Sequence, residues 1–80
     1  MKLAIERINE ILKEKGIEEQ PQIENGVAKW KIKCDKDDAH FQDRLTDWVD
    51  NCLPIGFTFG VERIYGTEVT YLMIKEIDNK

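Results

Sequence analysis

The stretch Asp37–Thr58, DDAHFQDRLTDWVDNCLPIGFT, constrains this chain more than any other. On a helix, Phe41, Leu45, Trp48, Val49 and Cys52 gather within about 100° of arc, the width of a stripe that packs on a core. His40, Asp43, Asp47, Asp50 and Asn51 take the opposite side. Asp35 or Asp37 can cap the free amides at the start, and the acids there suit the positive end of the helix dipole. A helix is therefore expected over Asp38–Asn51. Leu53-Pro54-Ile55-Gly56 stops it: the residue before a proline is pushed out of the helical region, and Gly56 lets the chain turn into a strand.

A helix with one apolar stripe needs a second layer, and the flanking segments supply it. Met1–Lys15 reads as a first helix with Ala4, Ile5, Ile8, Ile11 and Leu12 on one face, ended by Gly16. Val27–Cys34 alternates, with Ala28, Trp30, Ile32 and Cys34 on one side and Val27, Lys29, Lys31 and Lys33 on the other. This is a half-buried strand with a wet, basic outer face. Phe57–Tyr65 reads as a second strand, in which Gly60 suggests a bulge or a bulky neighbour against bare backbone. Tyr65-Gly66-Thr67-Glu68 turns the chain, and Val69–Ile77 returns antiparallel as a third strand. Asp78-Asn79-Lys80 reads as a frayed end. Within the connector Ile17–Gly26, Asn25-Gly26 is a hairpin signal that would pair Gln22–Glu24 with Val27–Lys29 as a minor ribbon. The expected fold leaves that ribbon out.

The expected fold is thus α+β: a small two-layer sandwich in the order α-β-α-β-β, forming a single domain over 1–80. Two helices pack on one face of a three-stranded sheet that ends in an antiparallel hairpin. The last strand can lie outside the second or between the other two, and both arrangements satisfy the connections. It is apolar on both faces, with Val69, Tyr71, Met73 and Ile77 on one and Leu72 and Ile74 on the other. It therefore belongs at the centre of the sheet or under a partner.

Charge and cysteine usage narrow the function. A net charge of -4, from 16 acids against 12 bases, argues against non-specific nucleic-acid binding. No apolar run is long enough to span a bilayer. Glu6, Arg7 and Glu10 interrupt any secretory h-region, so a cytoplasmic protein is expected. Cys34 and Cys52 would lie at opposite ends of a helix roughly 20 Å long. A disulfide needs Cα atoms within about 7 Å, so two buried thiols are expected.

Catalytic and metal constellations are thin. His40, Asp43 and Asp47 are spaced i, i+3, i+7 and could meet a divalent ion, but no second group of ligands follows. Asp35, Asp37 and Asp38 fail as a calcium loop, because His40 and Thr46 stand where Gly and Glu belong. The one histidine lies on the outer helix face while both cysteines follow the inward pattern, so no nucleophile has a base. No phosphate-loop, dinucleotide or hydrolase motif is present. No catalytic residue, metal or cofactor is assigned, and the protein is read as a non-enzyme. Trp30 alternates away from the lysines, which separates the basic stripe from the aromatic that single-strand binding would use. Phe57, Phe59, Tyr71 and Met73 exceed what a three-stranded sheet covered on one side can hide, which points to a homo- or hetero-oligomer interface.

The functional expectation is a small acidic protein-interaction module, an adaptor or a subunit of a larger assembly, acting through its sheet face or edge strand. Its candidate contact residues are Lys29, Lys31, Lys33, Tyr71 and Met73, with Asp43, Asp47 and Asp50 on the helix back. One alternative is a nucleic-acid binder through the lysines, or a nucleic-acid mimic that inhibits an enzyme through the aspartates. A third comes from resemblance. The succession of amphipathic helix, Leu53-Pro54-Ile55-Gly56, strand and hairpin is similar to the C-terminal ends of contractile phage tail baseplate proteins. That implies a structural component of a phage-tail-like assembly.

Overall fold

Alternation along VAKWKIK sets the two sides of the sheet: Ala28, Trp30 and Ile32 are wholly buried, while Lys29, Lys31 and Lys33 are exposed. The computed structural model describes residues 1–77. The frayed end read at 78–80 lies outside the described residues. The elements are α1 (Lys2–Glu14), β1 (Gln22–Glu24), β2 (Val27–Lys33), α2 (Phe41–Cys52), β3 (Phe57–Ile64) and β4 (Val69–Glu76). They build a four-stranded sheet in the order β1-β2-β4-β3, antiparallel at every pairing.

The expected three-stranded sheet and α-β-α-β-β order are therefore wrong. The order is α-β-β-α-β-β, and Gln22–Glu24 is a fourth strand. Its three residues are all exposed, so it carries no burial signal. The turn forms it instead: Asn25 and Gly26 both sit at positive φ, 53° and 76°, as a two-residue hairpin whose twist matches the flanking strands requires. β4 lies between β2 and β3, which accounts for its apolar residues on both faces. β2 and β3 run parallel with β4 between them, so they share no ladder.

One core joins both helices to one face of the sheet. Ala4, Ile8 and Leu12 of α1 and Phe41, Leu45 and Val49 of α2 meet Ala28, Trp30, Ile32, Leu72 and Ile74. Trp30 alone removes about 200 Å² from water, a gross gain of about 5 kcal/mol. Its indole Nε1–H is not stranded by burial: it donates to Asn9 Oδ1 on α1 at 2.9 Å. α1 ends in a Schellman motif, in which Ile17 N donates to Leu12 O (2.8 Å) and Gly16 N to Lys13 O (3.0 Å), with Gly16 at φ 80°. Ile17 then packs against the core and sends the linker 18–21 across to β1.

α2 begins at Phe41, three residues later than the aspartates suggested, with His40 at its N-cap and no side-chain cap. The aspartates fold the approach instead. Asp37 N donates to Asp35 Oδ1 (2.9 Å) and His40 N to Asp38 Oδ1 (3.1 Å), two local turns that compete with helix. Gly60 forms no bulge, since the β3–β4 register runs unbroken through Gly60–Met73. No heavy atom lies within 4 Å of where its Cβ would be, so nothing bulky packs there either.

Candidate interaction surface on the open sheet face

The face of the sheet turned away from the helices is built by the even-numbered residues of β3 and the odd-numbered residues of β2 and β4. Register lays them in rows: Ile64–Val69–Lys33, Glu62–Tyr71–Lys31, Gly60–Met73–Lys29 and Thr58–Lys75–Val27. β1 adds Gln22 beside Lys29 and Glu24 beside Val27. Tyr71 and Met73 are half-buried at the centre of this face, and the three lysines are exposed.

Lys29 does not extend straight into solvent. Its Nζ lies 4.3 Å from the centroid of the Tyr71 ring, a diagonal cross-strand contact in which the ammonium sits over the π face. Lys31 is paired directly with Tyr71. Together with Glu19, Gln20 and Gln22 of the linker and β1, these three residues line an open groove of about 480 Å³. Two ammonium groups, two carboxamides and a phenol ring converge there, with Glu19 the single carboxylate. Such a groove can take carboxylates on the lysines and backbone amides on the glutamines. It offers no nucleophile and no base of intermediate strength.

The sequence-derived candidates divide sharply. Lys29, Lys31 and Tyr71 come together, and Met73 adjoins them one row on. Lys33 stands at the far end of the strand, where Glu68 takes it up in an exposed ion pair at 3.8 Å, a contact worth little in water. Asp43, Asp47 and Asp50 are exposed on the back of α2, on the far side of the helical layer from this groove. His40 is exposed at the head of the same helix. No cluster of three or more His, Cys, Asp or Glu with metal-binding proximity occurs among the described residues.

Three features escaped sequence reasoning. Gln20 of the linker and Gln22 of β1 reach the groove because β1 pairs, so they follow from the fourth strand. Arg63 is buried on the helix side of β3, and among the described residues its guanidinium meets backbone carbonyls and no carboxylate. Its Nη1 donates to Thr67 O (2.8 Å) and Val69 O (3.0 Å), and its Nη2 to Asp35 O (3.2 Å). It ties the β3–β4 turn to the loop that leads into α2. Arg44 holds Asp38 in a two-armed ion pair at the head of α2, one arm being Nη1 to Oδ1 at 3.1 Å. The Arg44 hydrogen bonds hold the Asp38 carboxyl below the usual carboxylate range.

The cysteines are both free, and only Cys34 is buried; its Sγ lies 3.2 Å from Thr70 Oγ1. Cys52 is half-buried, and burial pushes its thiol pKa up.

Fold and surface together define a small mixed α/β domain with one covered and one open sheet face. No protein-family model, curated protein or solved structure matches the chain. No helix among the described residues is long and apolar enough to cross a membrane.

Proposed function

We propose that the protein is a non-catalytic interaction module that docks an acidic segment of a partner protein in the groove of Lys29, Lys31 and Tyr71. The observation that carries this reading is the Lys29 ammonium over the Tyr71 ring, beside Lys31, on the one uncovered face of a chain with net charge -4. Tyrosine and methionine are enriched at interaction surfaces, and the flanking lysines supply the charge complementary to an acidic segment. Met73 and Val27 extend the surface with apolar contact. The protein serves as an adaptor or assembly subunit, and its two free thiols fit the reducing cytoplasm.

A second reading is favoured by the same ring. Tyr71, unlike Trp30, shares a face with the lysines, so a stacked base of single-stranded nucleic acid fits the surface. One titration separates the two. Amide chemical shifts are followed at low salt while an extended glutamate-rich peptide or an oligothymidine is added. The peptide is expected to move Lys29, Lys31, Tyr71 and Gln22, and Lys29→Glu with Lys31→Glu is expected to abolish the response. Shifts with the oligothymidine alone would transfer the site to nucleic acid. Silence with both probes at low salt would sink the surface as a binding site.

A further inference from the structure

The two edges of the sheet are treated differently. β1 is three residues long, follows Pro21 and carries Glu24, all devices that discourage another strand from pairing. β3 is eight residues long, contains no proline or lysine, and has no bulge. Gly56 O accepts from Ile77 N at 2.8 Å, which fixes the alternation of the β3–β4 ladder. Thr58, Gly60, Glu62 and Ile64 thus spend their backbone groups on β4, and Phe57, Phe59, Val61 and Arg63 turn theirs outward. Gln42 Nε2 reaches Val61 O only at 3.4 Å, a long bond that gives way readily.

We infer that β3 pairs with β3 of a second copy of this chain, antiparallel about a two-fold axis near Gly60, to make one continuous eight-stranded sheet. Three things select a second copy over a foreign strand. The edge is self-complementary: pairing about Gly60 sets Phe59 against Val61 and Phe57 against Arg63 on the helix side. On the open side it sets Thr58 against Glu62 and Gly60 against Gly60, so no like charges meet. The half-buried Phe57, Phe59 and Val61 also gain cover from their symmetry mates. Finally, an edge about 27 Å long and two layers deep buries on the order of 500 Å² per copy, about 1,000 Å² in all. That reaches the lower bound of a specific interface, so the dimer is weak and concentration-dependent.

Gly60 provides the decisive variant. Its φ is unremarkable and its Cβ position is open, so Gly60→Lys is accepted by the monomer and places two ammonium groups at the axis. Val61→Pro removes an outward N–H while leaving the β4 ladder intact. Sedimentation equilibrium from about 10 µM to 1 mM, spanning the affinities expected of so small an interface, should show the mass of the unmodified chain rising toward twice the monomer. Both variants should stay monomeric, with Gly60→Lys unchanged in Tm at low concentration. Hydrogen exchange should slow with concentration at the Phe57, Phe59 and Val61 amides and not at Gln22–Glu24. A chain that stays monomeric throughout overturns the inference. So does a dimer that survives Gly60→Lys, or one whose concentration-dependent protection falls on other amides. None of these readouts depends on what the Lys29–Tyr71 groove binds.

Discussion

Asn9 looks like any polar position on the wet side of α1, yet it holds the single hydrogen bond that lets a tryptophan be wholly buried. Replacing it with leucine keeps the volume and strands the indole N–H. We expect Asn9→Leu to cost about 1–3 kcal/mol, read as a lower urea midpoint with an unchanged m-value. An unaltered midpoint would show that the bond contributes nothing. Neither this contact nor the tie from Arg63 to Asp35 O is legible in the sequence, because the partners lie 21 and 28 residues apart along the chain. The lysine stripe was legible, since alternation within one strand is local. Tyr71 is a candidate from sequence too, but that it meets Lys29 and Lys31 follows only once register between β2 and β4 is known.

Among the elements, those declared by burial can be read from the sequence, and those declared only by turn chemistry leave a weaker trace. Both helices and three strands announce themselves through apolar spacing. β1 has none, and the positive φ of Asn25 and Gly26 is what brings it against β2. The start of α2 lies later than its aspartates suggest for a related reason: aspartates that can cap a helix can also close turns before it. Asp38 gives that start a pH signature. Its folded pKa lies below the unfolded one because Arg44 hydrogen-bonds the ionised form. The stabilisation is therefore complete above the ordinary carboxylate pKa of about 3.9 and disappears as pH falls through the lower folded value. The stability difference between the unmodified chain and Asp38→Asn should accordingly be present at neutral pH and vanish in acid. A difference that persists in strong acid would assign the effect of the substitution to turn geometry.

At the scale of the molecule, the two-layer arrangement with one open face was readable, and the strand count was not. A two-fold dimer through β3 would continue that open face rather than reverse it, placing two Lys29–Tyr71 grooves on one side with β2 strands about 24 Å apart. A partner with two acidic segments would then gain avidity without any new contact. The position of β4 has a different consequence. It is the last of the four strands to be made, yet both β2 and β3 depend on it for their ladders. A chain stopped after Glu68 should show no cooperative urea transition, and a sharp one would mean that α1, β1, β2 and α2 fold alone. During synthesis the ribosome must therefore release Trp30, Ile32 and the whole of β3 before the strand that seals them has emerged. For those seconds two bare sheet edges are open to any nascent neighbour, the exposure that makes unpaired strands prone to aggregate before their partner arrives.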